Sequence, residues 1–545
     1  MHKRPTKRDL HVEIFGLACL MVCFLTPAVH GETGKQAESA MSAVQIPAIR
    51  HYIEWRGGGA FESLSSVHLS GHVVDGGLEG TKEFWETSRG EYWEREKAGS
   101  IVTAVAVSEH GHWRTNLSGQ PITLSVDEIR RYQRQSALLF PGIFRGDLGA
   151  TVQPRPDETF DGSSWNVFRV SFGDADSYDF FVEPDTGKLG ALRATVDRRS
   201  SFTVYSDWKV VAGIQHPFRR ELRSANLASQ NSFDARTIEF NRPPPASLFD
   251  RPRDPVQLVF RSALDWSGWI KFDFVDGKRI FIPAEVNGRR TTMLLDSGAE
   301  TTILGNEIAQ RVGVDCSGRI GVEGAGGSDA AALCTGVSIR LGEASISGVT
   351  ASRMDLEAVG RNVGVSIAAI LGQEIFNSAI VDIDFGAKRI AFRAPAHFRI
   401  PKEARRLALK PWAGNRILEV SVEGRPSIPV LFDLGNGSAL DLFPSYWKPL
   451  RMLDGRPFET SQMGGSGGTK PVSVATVDPL VFGGVVFHSV RTNFTAEADT
   501  TENSVAVKGN LGTPVLDHFH LMTDYARDEM YVIPLEAGDV TFKSR

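Results

Sequence analysis

Apolar and polar residues alternate along much of the chain in a way that predicts antiparallel β-strands. Between about residue 40 and residue 255, short alternating runs such as Phe168-Arg-Val-Ser-Phe172 and Tyr178-Asp-Phe-Phe-Val182 are separated by turn residues. One segment departs from this pattern, since Ser125 and Glu128 have the spacing of a helix capping box before a run that ends near Leu139. A period of two residues with short turns predicts a curved antiparallel sheet accompanied by a helix.

The second half of the chain contains one order of elements twice. Phe281-Ile-Pro-Ala-Glu-Val-Asn-Gly288 leads through an apolar strand to Asp296, and Ile417-Leu-Glu-Val-Ser-Val-Glu-Gly424 leads in the same way to Asp433, 137 residues after Asp296. Further on, Ala369-Ile-Leu-Gly372 corresponds to Gly509-Asn-Leu-Gly512 at an offset of 140 residues. We therefore predict two tandem units of one fold.

Each unit places an aspartate at the end of an apolar strand, directly before a tight turn. Asp296 is followed by Ser297 and Gly298, and the second unit has Asp433-Leu434-Gly435-Asn436 at the same place. Glycine lets the backbone turn sharply and approach a facing lobe, and apolar flanks keep water scarce around the carboxyl. This setting makes Asp296 and Asp433 a candidate pair of catalytic carboxyl groups.

A cluster of glycines follows the aspartate of each unit. The clusters begin 28 residues after the first aspartate and 31 residues after the second. Either one alone is typical of ordinary turns, but their matched positions favour hairpin tips that close over a bound chain, because closure needs backbone dihedrals that side chains resist. The glycines predicted to bind substrate in this way are Gly324, Gly326, Gly327, Gly464, Gly465 and Gly467.

Residues from about 265 to 535 resemble the aspartic peptidase family. The resemblance is carried by Asp296-Ser-Gly-Ala, the two glycine clusters, and the triplets Ile370-Leu-Gly372 and Asn510-Leu-Gly512. It is closer to the retropepsin-like type, with two lobes joined in one chain as in pepsin. The resemblance implies that the triplet strand packs behind the Asp loop, that the two aspartates share one proton, and that a peptide or protein is hydrolysed without a metal or cofactor.

The second unit departs from the family pattern at Leu434. The family has serine or threonine there, whose hydroxyl hydrogen-bonds the opposite loop, and leucine has no such group. One of two cross-links, worth about 1 kcal/mol, is therefore expected to be missing, whereas Ser297 is expected to supply the other. Asn436 either hydrogen-bonds its own aspartate or holds a different ligand. We favour an active endopeptidase because both aspartates are present; the alternative is a catalytically decayed module that binds peptides or lipoproteins.

The N-terminal region is similar to the LolA-like half-barrel of lipoprotein carriers, most clearly in Glu183-Pro-Asp-Thr-Gly-Lys-Leu189 and between Ser206 and Phe218. The resemblance implies a concave apolar face that binds a lipid or lipoprotein, and a structural accessory domain is the alternative. We thus predict a mainly β protein, a two-lobed aspartic peptidase fold preceded by an antiparallel half-barrel (α+β). The predicted segments are a signal peptide at 1–31, the half-barrel domain at 40–242, a linker at 243–264, lobe 1 at 265–395, an inter-lobe linker at 396–412 and lobe 2 at 413–540.

Residues 1–31 are typical of an export signal. Basic residues from Lys3 to Arg8 precede an apolar run from Ile14 to Leu25, and small residues follow near Ala28. The run is too short to span a bilayer, and no later stretch approaches a membrane span. We expect a periplasmic or secreted protein without a transmembrane anchor after removal of the signal.

Two of the four cysteines remain after removal of that signal, Cys316 and Cys334. They flank the first glycine cluster, 18 residues apart, as two strands of one hairpin would. In an oxidising compartment they are expected to form a disulfide worth about 3 kcal/mol, and two reduced core thiols are the alternative.

Length and charge exclude several classes of function. The 545 residues, 41% of them apolar, suffice for more than one folded domain. A net charge of −5 with well-mixed signs offers no basic patch, so nucleic acid is not an expected partner. The two His-x-His pairs, at His110 and His518, have no third ligand at a recognisable spacing, and we therefore predict no metal site.

Overall fold

The computed structural model describes residues 46–173, 176–196, 199–224, 231–261, 264–324, 327–496 and 506–542. Within these ranges most of the chain is in β-strands, so the predicted mainly β fold is confirmed. No helix in the described ranges is long and apolar enough to cross a membrane. The predicted signal at 1–31 lies outside the described residues.

A thirteen-stranded antiparallel sheet forms most of what we call the front region, residues 46–249. Its strands are β1 (Ser66–Asp75), β2 (Leu78–Thr87), β3 (Tyr92–Ala98), β4 (Ile101–Ser108), β5 (Gly111–Thr115), β6 (Pro121–Thr123), β7 (Thr151–Phe160), β8 (Ser163–Ser171), β9 (Ser177–Val182), β10 (Leu189–Val196), β11 (Arg199–Val211), β12 (Ile214–Ser224) and β13 (Asn231–Phe240). Strands β1 and β13 pair, which joins the run β1–β6 to the run β7–β13.

The helices of the front region are α1 (Pro47–Arg56), α2 (Gly59–Glu62) and α3 (Val126–Ala137), with short 3₁₀ helices at Pro141–Arg145, Asp147–Gly149 and Ala246–Phe249. The predicted capping box begins α3, where the Ser125 amide donates to the Glu128 carboxylate at 2.7 Å. The Tyr52 ring on α1 is fully buried and packs edge-on against Phe144 and Phe180. One face of the sheet is thus covered by the chain itself, and a lipid ligand here stays a prediction.

Lobe 1 contains strands β14 to β25 and helices α4 to α6. Their bounds are β14 (Gln257–Phe260), β15 (Ile270–Lys271), β16 (Asp273–Val275), β17 (Arg279–Val286), β18 (Arg289–Leu295), β19 (Ile303–Gly305), α4 (Asn306–Val312), β20 (Cys316–Gly324), β21 (Gly327–Leu341), β22 (Ala344–Met354), α5 (Leu356–Val363), β23 (Ala369–Leu371), α6 (Gln373–Ser378), β24 (Ile380–Asp384) and β25 (Arg389–Arg393). Strands β18 and β23 pair in parallel, Leu294 opposite Ile370, so the triplet strand lies beside the strand that leads to Asp296.

Lobe 2 repeats this arrangement. Its elements are β26 (Arg405–Ala408), β27 (Lys410–Trp412), β28 (Asn415–Val422), β29 (Ile428–Asp433), β30 (Leu440–Leu442), α7 (Pro444–Trp447), β31 (Glu459–Gly465), β32 (Gly468–Val477), β33 (Leu480–Phe482), β34 (Val485–His488), β35 (Val490–Thr495), β36 (Gly509–Gly512), α8 (Thr513–Leu516), β37 (Phe519–Asp524), β38 (Glu529–Pro534) and β39 (Val540–Thr541). Strands β29 and β36 pair in parallel, Leu431 opposite Asn510, as β18 and β23 do in lobe 1.

A six-stranded sheet joins the two lobes, because β24 of lobe 1 pairs with β37 of lobe 2. Segments predicted as linkers also contribute strands, since β14 pairs with β22 and β26 pairs with β38. One apolar core runs through both lobes and includes Phe376 and Leu434. The lobes therefore fold as one body, which holds their aspartate loops in a fixed relation.

Candidate active site

A cavity of about 1620 Å³ lies between the two lobes and the front region. Asp296 lines it from lobe 1 and Asp433 lines it from lobe 2, while Leu78 and Ile101 line it from the front sheet. We call this cavity the cleft. The front region therefore forms part of its wall, which the sequence did not predict.

The two predicted catalytic aspartates face each other across the cleft. The two carboxyl groups are close enough to act on each other electrostatically, and each lies over the glycine of the opposite loop. A Cβ atom on Gly298 would lie 2.9 Å from Asp433 Cγ, and one on Gly435 would lie 2.4 Å from Asp296 Cγ. Only glycine leaves room for this approach, which accounts for the glycine in both Asp-x-Gly tripeptides.

The two loops bind their carboxylates with nearly identical backbone geometry. Asp296 Oδ1 accepts hydrogen bonds from the amides of Gly298 at 2.8 Å and Ala299 at 3.1 Å. Asp433 Oδ1 accepts from the amides of Gly435 at 2.9 Å and Asn436 at 3.1 Å. The tandem repeat thus becomes a local two-fold arrangement around the carboxyl pair.

Desolvation and charge favour retention of a proton on the pair. Burial, and then the charge of Asp433, raise the pKa of Asp296 to about 8, although two backbone amides oppose the shift. Two carboxyl groups this close cannot both ionise without a large repulsion. Below that pH the arrangement holds one carboxyl group protonated.

Asn510 distinguishes the two aspartates. Its side-chain Nδ2 donates to Asp433 Oδ2 at 2.8 Å, whereas the corresponding residue of lobe 1 is the apolar Ile370. Asp433 Oδ1 and Oδ2 therefore accept from three donors, whereas among the described residues the Asp296 carboxyl accepts from the two backbone amides. In the sequence, Asn510 stands out only as part of the triplet Asn510-Leu-Gly512. Its polarity, at a position that is apolar in the other repeat, was the signal that would have identified it.

Ser297 links the two loops as expected. Its Oγ donates to the Phe432 carbonyl at 3.0 Å and accepts from the Leu434 amide at 2.9 Å. Leu434 is fully buried in the shared apolar core and supplies no hydroxyl in return. At these two matched positions, therefore, the Ser297 side chain of lobe 1 bonds across the pseudo-two-fold axis and the Leu434 side chain of lobe 2 does not.

The Asn436 side chain supports its own loop. Its Nδ2 donates to Asp441 Oδ2 at 2.8 Å, and its Oδ1 accepts from the Ser438 amide at 2.9 Å. Asp441 is buried and also accepts from Asn493 Nδ2 at 2.7 Å. Only the backbone amide of Asn436 reaches Asp433.

A buried carboxylate, Glu374, supports the lobe 1 loop. It accepts hydrogen bonds from the Thr301 hydroxyl and from both the amide and the hydroxyl of Thr302, each at 2.9 Å. A further donor comes from the front region, where Ser118 Oγ lies 3.2 Å from Glu374 Oε1 and also accepts from the Thr350 amide at 2.9 Å. The front region is thus connected to the lobe 1 aspartate loop by a buried hydrogen-bond network.

The predicted glycine hairpins take different positions. In lobe 2, Gly465 lines the cleft and its carbonyl accepts from Asn362 Nδ2 of α5 at 3.1 Å, while Gly464 packs on the Asn362 backbone. The turn at Gly467 has φ +82°, a conformation that favours glycine. In lobe 1, Gly324 pairs with Gly327 at the end of the hairpin, and Gly326 lies outside the described residues.

The base of the lobe 1 hairpin carries the predicted cysteines. Cys316 and Cys334 lie opposite each other on β20 and β21 and are joined by a disulfide. Beside it, Gly318 packs against Leu78 of the front sheet, and the Arg319 amide donates to the Gly76 carbonyl at 3.4 Å. The first hairpin therefore rests on the front region, whereas the second rests on lobe 1.

With this geometry described, the similarity to known proteins can be stated. Residues 282–375 match the model of the aspartyl protease family. The matched segment contains Asp296 and Ile370-Leu-Gly372 but ends before the Asp433 loop, so an aspartic peptidase-like family is supported for lobe 1. Among curated proteins, none matches this chain.

A solved structure of a LolA superfamily protein from Nitrosomonas europaea is similar to part of this chain, with 13% sequence identity over 37% of this chain and 96% of that one. The TM-score is 0.28, and a likeness at this level carries no further argument. The half-barrel resemblance of the front region stays a prediction.

Proposed function

We propose that the protein is an aspartic endopeptidase that hydrolyses peptide bonds with a water activated between Asp296 and Asp433. The observation that carries the proposal is the facing of two carboxyl groups across a cleft, each fixed by two backbone amides. The match of residues 282–375 to the aspartyl protease family points the same way.

The surroundings of the pair suggest which carboxyl acts as base. Asn510 stabilises ionised Asp433, so Asp433 takes a proton from the water. Asp296, whose pKa is raised to about 8, carries the proton and donates a hydrogen bond to the scissile carbonyl. The tetrahedral intermediate then collapses, and Asp433 returns its proton to the leaving nitrogen.

We also propose that the protein acts outside the cytoplasm, in the periplasm or after secretion. The basic and apolar pattern of residues 1–31 supports export, and the Cys316–Cys334 pair suits an oxidising compartment. Retention of the precursor in the cytoplasm of its source cell would contradict this part of the proposal.

A cleavage assay on a peptide library tests the proposed reaction. We expect wild-type protein to cleave, and Asp296→Asn and Asp433→Asn each to lose roughly 10⁴-fold in turnover, the size typical of a missing catalytic group. Asp454→Asn, which changes an exposed aspartate paired with Arg451, is the matched control and should cleave as wild type does. Equal turnover by all four proteins would contradict the proposal.

Peptide binding without turnover is a second candidate function, because Leu434 removes one hydroxyl of the family pattern. A wild-type protein that binds peptides in the cleft but cleaves none over a broad pH range would favour this function. The same peptides can be used for both measurements, so the two candidates are separated by one set of reagents.

A further inference from the structure

Two pairs of corresponding residues lie beside the carboxyl pair, and each side holds one member of each pair. Arg279 is the first residue of β17, and Asn415 is the first residue of β28. The two correspond because each lies two residues before a matched position of the repeat, Phe281 or Ile417. Glu300 and Gly437 also correspond, since each lies four residues after its aspartate. The repeat therefore places Arg279 next to Gly437 and places Asn415 next to Glu300.

On the Glu300 side the polar groups have partners. Glu300 packs against Gly414, where a Cβ would lie 2.4 Å from Glu300 Oε1, and pairs with Arg114 of the front region. Asn415 Oδ1 accepts from Gln373 Nε2 at 2.8 Å, and the same nitrogen donates to the Ser297 carbonyl at 3.0 Å. Charge and hydrogen bonding are thus satisfied within the protein on this side.

On the Gly437 side a cation has no such partner. The Arg279 guanidinium lies on the Gly437 backbone, where a Cβ would be 2.9 Å from Nη2 and 3.0 Å from Cζ. Gly437 stands where lobe 1 has the carboxylate of Glu300, so this position offers no anion. Among the described residues, Arg279 forms no hydrogen bond or ion pair, and its half-buried side chain lines the cleft.

The charge of Arg279 and its surroundings favour an anionic ligand. Burial lowers its pKa, while Asp276, Asp296 and Asp433 favour its charged form at longer range. An arginine stays protonated at any physiological pH. A partly desolvated guanidinium with free donors is best satisfied by a carboxylate, which it binds through two parallel hydrogen bonds.

We propose that Arg279 binds a carboxylate of the substrate peptide on the Gly437 side of the carboxyl pair. This inference rests on the proposed function and adds a substrate class, namely peptides with an acidic group close to the scissile bond. The carboxylate is either an acidic side chain or the free C-terminus of the peptide.

Cleavage of matched peptides tests the inference. We expect wild-type protein to cleave peptides with Asp or Glu near the scissile bond roughly 10- to 100-fold better, in kcat/KM, than their Asn or Gln counterparts. Arg279→Gln should lose this preference, so that its ratio of kcat/KM for each acidic peptide to kcat/KM for the neutral counterpart falls to about 1. Arg279→Lys should keep part of it, and Arg311→Gln, at an exposed arginine of α4, should keep all of it. Retention of the preference by Arg279→Gln would overturn the inference.

Amidation of the peptide C-terminus separates the two sources of carboxylate, because it lowers kcat/KM only if the terminal group is the ligand, whereas the preference for Asp or Glu arises only if a side chain is the ligand. Gly437→Glu provides a reciprocal test. It supplies a carboxylate at position 437, and the three atoms nearest to the added Cβ all belong to the movable end of Arg279. We expect this variant to lose the acidic preference even though Arg279 is intact.

Binding to Asp296→Asn keeps the inference testable without turnover. Labelled acidic and neutral peptides should bind this variant with a roughly 10- to 100-fold difference in Kd, and adding Arg279→Gln should remove the difference. If wild-type protein cleaves no peptide but the Asp296→Asn variant binds acidic peptides more tightly, the proposed function is wrong and the role of Arg279 in binding is retained. Equal binding of both peptides would overturn the role of Arg279 alone.

Discussion

The Asp296 loop of lobe 1 and the Asp433 loop of lobe 2 have the same backbone hydrogen bonds, but what lies behind them differs. Ile370 lies behind Asp296, whereas Asn510 donates to Asp433 at 2.8 Å. The duplicated fold thus gives the two aspartate loops the same backbone geometry, and Asn510 makes the surroundings of the two carboxyl groups different. General acid–base catalysis by two carboxyl groups requires such a difference, since one group has to be protonated while the other is ionised.

The support of the two loops differs as well. Asp441 of lobe 2 is bound by Asn436 and Asn493 of the same lobe. Glu374 of lobe 1 is bound by residues of its own lobe and also by Ser118 of the front region. The aspartate loop of lobe 1 is therefore connected through Glu374 to the front region, whereas Asn436 and Asn493 connect Asp441 to other parts of lobe 2.

Asp296→Asn should have the largest effect, because it removes the proton donor altogether. We expect a roughly 10⁴-fold loss of turnover. Wild-type activity should itself decline as the pH rises through about 8, where Asp296 loses its proton. A pH–rate profile of wild type that stays flat through this range would contradict the assignment of Asp296 as the acid.

Asp296→Asn should increase the stability of the folded protein although it lowers turnover. The folded-state pKa of Asp296 lies above its ordinary value of 3.8, so the stability it contributes is fully present below 3.8 and is lost as the pH rises through about 8. Asparagine cannot ionise, and the variant should therefore gain stability relative to wild type across this interval. Denaturant unfolding of both proteins at several pH values within the interval would measure it.

Asn510→Leu should have the next largest effect, since it makes the surroundings of the two aspartates alike. A hydrogen bond to a charged group contributes about 1.5–3 kcal/mol, so turnover should fall roughly 10- to 100-fold. Asn510→Asp would be a poor choice because it adds a charge. Ile370→Val, which preserves the asymmetry, serves as the control and should turn over substrate as wild type does.

Ser118→Ala tests the dependence of lobe 1 on the front region. Ser118 does not line the cleft, so we expect kcat to fall roughly 5- to 10-fold with little change in KM, the size of one or two net hydrogen bonds. Ser70→Ala, at an exposed hydroxyl bonded to Thr237 within the front sheet, is the matched control. A Ser118→Ala protein with normal kcat would mean that the network fixes the front region without positioning the aspartate loop.

Leu434→Thr should have the smallest effect on turnover. The side chain is fully buried in the apolar core, and a hydroxyl there without a partner would lower the free energy of unfolding by roughly 1–3 kcal/mol. Because neither carboxylate is disturbed, we expect turnover within a few-fold of wild type. Increased stability would instead mean that the hydroxyl finds a partner across the axis.

The repeat, the two aspartates and the glycines beside them follow from the sequence, because strand periodicity and tight turns depend on residues close together in the chain. The mainly β fold and the helix that begins at Ser125 follow for the same reason. The sequence also indicated that Ser297 would link the loops, since the small hydroxyl recurs in a known pattern.

Tertiary structure alone decided which side chains surround those aspartates. Ser118 reaches Glu374 across 256 residues of chain, and Asn510 reaches Asp433 across 77. Arg279 has no hydrogen-bond or ion-pair partner among the residues that the structure describes, because another loop has Gly437 at the facing position. Such contacts depend on how separate elements pack, and no local pattern encodes them. The sequence therefore determined where the reactive groups stand in each repeat, and packing determined that the two halves of the site are chemically unequal.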